Sequence, residues 1–533
     1  IGHAPDGSVP SDAQFSDVPG GTTILGAAKL SGKLSPSVNV GWLSAVTARE
    51  MADNQRADLS RFKSEVEPVA YYGAARLMKE FPERRHGIGS LVTLAYRDLH
   101  TDALRGALNR DAVTGVIDGW HFFDRDQMWV LSGYLSGSLV QGSAGRITEL
   151  QNGSRHYFQR PDAEHLGVDS SATSLGGVAA RVWLNKEKGH VFSNSALGVI
   201  SPGYEVSDLG YEDHANWVNG HAGVGYKWTD PTKHVKFHQV MGAIFGRDDL
   251  EGNVTNTGVR ARTFWWFTNN WTLNPSFAYN PQSVNPRRSR GGPLMLNQPG
   301  YEISLSGDTD GSRKRYYSIN YDEYIQPEEN SYNYNVQPFM TYKPRPNIRF
   351  EIGPSYSVSR DGAFYVDAID DPAASATYGR RYVFARLDQQ TFSANLRVNV
   401  SFTPRMSLQF YGQPLIATGR YSDFRELARP RSLDFVGQGA GAWTYDPATR
   451  AFDPDGAGPA APGVKDFNSK SLRGNAVFRW EFRPGSAVYL VWTQQRNDDE
   501  SVPDFNFGPS MRRLFNASAR NIFLAKVTYY LGM

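Results

Sequence analysis

The sequence predicts an all-β fold: a transmembrane antiparallel β-barrel with about 21 strands in the chain's 533 residues. Three observations carry that prediction. Apolar and polar residues alternate with period two in segment after segment. Connections alternate between short and long. Aromatic residues gather at strand ends beside the short connections. The clearest segment is 391–414. Phe392, Ala394, Leu396, Val398, Val400 and Phe402 form one face, with Thr391, Ser393, Asn395, Arg397, Asn399 and Ser401 on the other. Thr403-Pro404-Arg405 reverses the chain, and Met406, Leu408, Phe410 and Gly412 then alternate with Ser407, Gln409, Tyr411 and Gln413. Period two over this length is strand, because successive strand side chains point to opposite faces. Such a hairpin fits a soluble sandwich with a wet polar face, or a barrel with its apolar face in lipid.

Composition narrows the class. Formal net charge is +2, so no bulk charge points to nucleic acid. There is no cysteine, which excludes disulfides, thiolate metal sites and cysteine nucleophiles. Aromatics are 13% of the chain beside a hydrophobic fraction of only 40%, and mean hydropathy is -0.48. No stretch approaches the roughly 18 apolar residues of a membrane helix. A barrel has this profile because only alternate strand residues meet lipid. The chain begins at Ile1 without a signal peptide and reads as a processed or trimmed chain.

In chain order, residues 1–21 read as an extracellular loop rich in Pro, Gly, Ser and Asp. Strands follow at about 22–32 and 38–48, then a polar, partly helical stretch at 49–67. Further strands run at about 69–80, 88–97, 112–123, 128–140, 173–185, 191–200, 214–228, 234–247, 254–267 and 271–279. The series continues at about 301–307, 313–324, 332–342 and 348–360, then the hairpin already described, whose first strand starts as early as Arg381. After the longest loop, 421–469, come about 472–482, 487–495 and 518–533. That long loop is long enough to fold into a barrel mouth, and its 458–462 part reads as mobile. Residues 498–516 are a second candidate for capping the pore.

Two regularities decide for the barrel. Short turns on one side and long loops on the other match short periplasmic turns and longer outer loops. Phe122, Phe123 and Trp129, Trp228 and Phe237, Trp265, Trp266 and Trp271, Tyr342 and Phe350, and Trp480 and Phe482 all flank short turns, as an interfacial girdle does. The expected location is the bacterial outer membrane, with lipid and lipopolysaccharide as partners. An odd count conflicts with the even strand number of bacterial single-chain barrels. The expectation is a complete barrel of about 22 strands, with a strand before Ile1, or a partner chain, closing the seam.

Several motifs resemble a known family. They are Ile24-Leu25-Gly26-Ala27-Ala28-Lys29 with Gly32, Arg290-Gly291-Gly292-Pro293, Leu387-Asp388-Gln389, and Phe402-Thr403-Pro404-Arg405 with Ser407-Leu408-Gln409. To these add Gly419-Arg420-Tyr421 with Phe424 and Glu426-Leu427, and Arg473-Gly474-Asn475 through Arg479-Trp480-Glu481-Phe482-Arg483-Pro484-Gly485-Ser486 to Val491-Trp492-Thr493-Gln494. Over almost the whole chain the sequence resembles outer-membrane barrel domains of unknown function that follow a carbohydrate-binding family-9-like module. The resemblance implies the fold, the outer membrane, a preceding segment and carbohydrate as a partner. It implies no established activity.

The site residues follow from parity and loop chemistry. Arg181, Arg397, Arg473, Arg479 and Glu481, with Arg76 and Arg97, fall on the polar, lumen-lining face. They are either ion pairs in a solvated lumen or a charged path for solutes. Arg287, Arg288 and Arg290 form a basic loop suited to lipopolysaccharide phosphates, or a plain solvated loop. Asp308 and Asp310 in Asp308-Thr309-Asp310-Gly311 are the Ca²⁺ candidates, although Asp-Gly is also what hairpin turns require. No Gly-x-Ser-x-Gly elbow or His-Glu-x-x-His helix occurs, and Asp213-His214 is the one local acid–histidine pair, so no enzyme is expected. The predicted role is porin-like passage of solutes or glycans, against a non-conducting scaffold or surface-binding barrel for a glycan, lipoprotein or assembly partner.

Overall fold

Alternation in the sequence becomes a two-faced antiparallel sheet. The computed structural model describes residues 3–436, 444–446, 451–453, 461–462 and 464–530. Among the described residues, twenty-two strands belong to one sheet. One of these, Phe435–Val436, is a two-residue strand beside Met406–Leu427, which leaves the predicted number of long strands.

The chain divides into two compact units. The first comprises residues 1–225, 243–257 and 284–294. Within it Ile24–Ser35, Val38–Thr47, Val69–Glu80, His86–Asp98, Asp111–Phe122, Trp129–Gln141, Ser174–Lys186 and Val191–Ile200 pair in chain order, each antiparallel to the next. The second comprises residues 226–242, 258–283 and 295–533. There the ladder runs from Thr272–Asn280 through Gly300–Asp308, Arg315–Gln326, Ser331–Arg345, Ile348–Asp370, Arg380–Thr403, Met406–Leu427, Phe467–Arg483 and Ser486–Glu500 to Ala519–Thr528.

Turn chemistry sets the register. Two-residue turns at 346–347, 404–405 and 484–485 join long strands, and Gly485 supplies the positive φ of 76° that its turn needs. The opposite connections are longer and carry their own structure, such as the helix Ala144–Asn152 in 142–173. Aromatic rings also gather beside short turns. In the second unit the His238 ring lies between Trp228, at 4.3 Å and 7°, and Trp265, at 4.6 Å and 6°.

Three expectations are corrected. Residues 49–67 are not partly helical. Glu50–Gln55 and Arg61–Glu67 form a hairpin that pairs with Phe15–Asp17, a strand inside the predicted 1–21 loop. Its turn is held by Asp58 Oδ1, which accepts from Ser60 N at 2.9 Å and Ser60 Oγ at 2.6 Å. The 421–469 loop is shorter, because Met406–Leu427 runs past Tyr421 and Phe467–Arg483 begins before Leu472. Residues 458–460 lie outside the described residues. Within 498–516, Ser486–Glu500 continues as strand, and the helix Phe507–Asn516 packs on the apolar face rather than capping the polar one. Phe507 meets Phe392 edge-on at 4.8 Å. Beneath the helix the Lys470 side chain is fully buried and paired with Asp498 at 3.0 Å and Glu500 at 2.6 Å.

Candidate functional site

Loops of the first unit fold over the polar face of its strands. Ser143 caps the helix Ala144–Asn152 by accepting from Arg146 N at 3.1 Å, and this sets Ile147 and Leu150 against Val140 and Leu175. Residues 201–216 dock beside it. The Tyr204 and Ser136 hydroxyls lie 2.8 Å apart, and Glu205 N donates to Ser138 Oγ at 3.0 Å. Arg97 is buried, donates to Asn109 O at 3.1 Å and pairs with Asp208. A cavity of about 300 Å³ remains between Tyr72, Arg97, Asn109, Arg146, Glu205 and Asp208. Its walls mix arginine with carboxylate, so it suits a polar ligand of low net charge.

Two carboxyls make the docking of 201–216 sensitive to pH. Burial pushes Glu205 up, but hydrogen bonds from His156 and Ser207 outweigh it and hold the carboxyl at about 2, below its ordinary 4.5. A carboxyl depressed in the folded state adds stability above its unfolded value and loses it as pH falls. Docking is expected to weaken by roughly 3 kcal/mol across that window. Glu212 runs the other way. Burial, then its contact with Asp213, pushes it up to about 7, so its contribution is intact below 4.5 and shrinks as pH rises toward 7. Amide-exchange protection of 201–216 is expected to peak near the shared boundary at 4.5 and to fall on both sides. Flat protection between pH 3 and 7 would remove the account.

A second cavity, of about 280 Å³, lies along the same polar face between Arg181, Asn219, His221, Phe245, Arg247 and Asn256. Arg181 donates to Asn219 Oδ1. Gly198 is its cross-strand partner, and a Cβ there would stand 3.1 Å from the guanidinium, so the glycine makes the room. Arg247 approaches His214 Nε2 at 3.0 Å, and His214 Nδ1 faces Asp213 at 2.9 Å. Both ring nitrogens of the predicted acid–histidine pair are thus engaged. Burial, then the nearby Arg247 charge, hold the His214 ring below its ordinary value.

The other predicted residues separate. In the second unit Arg397 lies over the Tyr411 ring at 5.2 Å, and Arg473 is exposed opposite Gln413 and Gln495. Arg479 pairs with Glu481 at 2.7 Å, and Glu481 Oε1 accepts from Gly485 N at 3.2 Å. The ion-pair reading therefore fits Arg479 and Glu481 better than a free charged path. Arg287 and Arg288 are half-buried and Arg290 is exposed; the Arg287 guanidinium sits 5.6 Å from the Tyr157 ring centre. Asp308 accepts from Thr272 Oγ1 at 2.9 Å and from the Tyr316 hydroxyl at 2.5 Å. Asp310 accepts from Ser312 and Asn270 and pairs with Arg313 at 3.2 Å; hydrogen bonds from Ser312 first hold it at about 2. This turn is closed by protein donors.

Arg247 and the Arg160 cluster escaped the sequence reading. Residues 239–247 carry apolar side chains on both parities, so the polar face could not be told there by alternation. Arg160 lies in irregular loop, where no periodicity exists. It pairs with Asp162 at 3.2 Å, Asp249 at 3.3 Å and Glu251, all buried.

A family model described as Domain of unknown function (DUF5916) matches residues 1–533. The chain belongs to this family. No curated protein matches it. Among solved structures, an anion-selective porin from Comamonas acidovorans aligns with 60% of this chain and 89% of its own, at 10% identity and a TM-score of 0.27. The family description names no activity, so function has to be argued from the faces of the sheet and the loops over them.

Proposed function

We propose that this DUF5916 chain is an outer-membrane β-barrel with a porin-like role in passing solutes. The observation that supports it is the exposed apolar face. On neighbouring strands Val113 and Ile117, Leu131, Leu135 and Leu139, and Val178, Val182 and Leu184 all point to one side and are exposed, Leu135 by 58%. Monomers in water rarely leave contiguous apolar patches beyond a few hundred Å² uncovered. Lipid covers such a face, and the polar face then lines an aqueous path. Ile24–Ser35 is exposed along all but its last residue, which supports a further strand on that edge, from a preceding segment or a partner chain. The resemblance to barrels that follow a carbohydrate-binding module supports a saccharide among the solutes or partners.

A second reading, a non-conducting barrel that binds a surface glycan or protein, is favoured by the loops packed on the polar face, where Ile147 is fully buried. Planar-bilayer conductance separates the two. The passage reading expects discrete channel steps from the purified protein, with larger steps when residues 142–173 are replaced by a short Gly-Ser turn. Silence from both proteins leaves only the binding reading.

A further inference from the structure

Most arginines on the polar face of the first unit are neutralised. Arg76 pairs with Asp118, Arg97 with Asp208 and Arg160 with three acids. Arg181 and Arg247 differ. They share one cavity, and no carboxylate lines it. Arg181 is answered by the neutral amide of Asn219, and Arg247 by the imidazole of His214. Asp213 stands behind that ring, so its contact with Arg247 runs through His214. Arg287 adds a third positive charge near His214 and Arg247. Among the described residues none of these three arginines forms an ion pair with a carboxylate.

A guanidinium facing a cavity without an anion is an unfilled half of a strong interaction, because charge-assisted bonds to phosphate and carboxylate are about twice as strong as neutral ones. We propose that Arg181 and Arg247 bind the phosphate or carboxylate group of a small anionic solute. Asn219 and Asn256 supply amides at the same wall, and His221 a further ring nitrogen. The cavity has room for a small oxyanion with part of its carrier. As the substrate class of the proposed passage, small anions rest on that reading; as a binding site, the cluster stands without it.

The test is calorimetric titration of the intact, detergent-solubilised protein with inorganic phosphate and, separately, succinate. Saturable binding of at least one is expected. The double variant R181Q/R247Q is expected to weaken it by about tenfold or more, the loss of two charge-assisted contacts. R247K keeps the charge but loses the fork, and is expected to weaken binding less than R181Q/R247Q does. Should R181Q/R247Q fail to fold, Asn219→Asp puts a carboxylate against Arg181 with both arginines intact, and weakened binding is again expected. Unsaturable titrations with both anions, or unchanged affinity in the neutralised variants, overturn the proposal. Reversal potentials in a salt gradient form the independent arm. A protein that binds phosphate and conducts nothing keeps the anion site and removes the passage reading. A conducting protein without anion binding keeps passage and removes the site.

Discussion

Replacing Arg160 by alanine is expected to release the loop 153–165 from the polar face, at a cost of about 3–5 kcal/mol in local stability. One guanidinium with 4% of its side chain exposed faces Asp162, Asp249 and Glu251, each less than a tenth exposed. These acids also hold backbone. Asp162 Oδ2 accepts from Leu294 N at 2.7 Å, Asp249 Oδ1 from Asn253 N at 2.9 Å, and Glu251 Oε1 from Glu164 N at 2.9 Å. Without the cation three buried carboxylates repel one another, and the cheapest relief is for the loops to open to water. Hydrogen exchange should rise together in 153–165, 249–253 and 292–295. An increase confined to 153–165 would mean that the cluster does not tie the loops. Arg160→Lys should recover only part of the effect, because an ammonium cannot present a fork to three acceptors.

Leu135→Arg is expected to cost about 2–4 kcal/mol if the apolar face sits in lipid, and within about 0.5 kcal/mol if it faces water. Leu135 is 58% exposed, with Gly133 and Gly137 beside it on the same face, so among the described residues it is left largely uncovered. Its neighbour Ser136 is 2% exposed under the docked loop. Refolding into lipid vesicles, read from heat-modifiable gel migration and urea midpoints, measures the difference directly. An unchanged midpoint for Leu135→Arg would sink the membrane assignment for this face, whatever the conductance shows.

The strands were legible because their signal is local. In Arg380–Thr403 the residues 391–402 alternate apolar with polar, and the ladder keeps that parity from Tyr356 opposite Phe392 to Val400 opposite Leu408. In the ladder Arg397 stands opposite Tyr411, and Arg473 and Arg479 opposite Gln413 and Ser407 of that same strand. Tight turns such as Pro404-Arg405 were legible for the same reason, since their residues alone make the turn. The hairpin Glu50–Gln55 and Arg61–Glu67 was missed although Arg61–Glu67 alternates Arg61, Lys63, Glu65 and Glu67 with Phe62, Ser64 and Val66. Glu50–Gln55 sets Glu50, Ala52 and Asn54 against Met51, Asp53 and Gln55 without a clean alternation, and composition suggested a polar, partly helical stretch.

The sequence by itself determined a sheet with two chemically distinct faces, about 21 long strands and the tight turns that join them. Each of these depends on neighbours within a few residues. Only the tertiary structure decided which charges meet. Arg97 finds Asp208 across 111 residues, Arg160 finds Asp249 across 89, and Arg181 and Arg247 line one cavity with no acid between them. Ion pairing over such separations is set by where irregular loops come to rest, and loops carry no period from which their resting place can be read. An arginine's parity announces the face on which it stands. Whether it is neutralised there, or left to meet an anion, is decided by what folds over it.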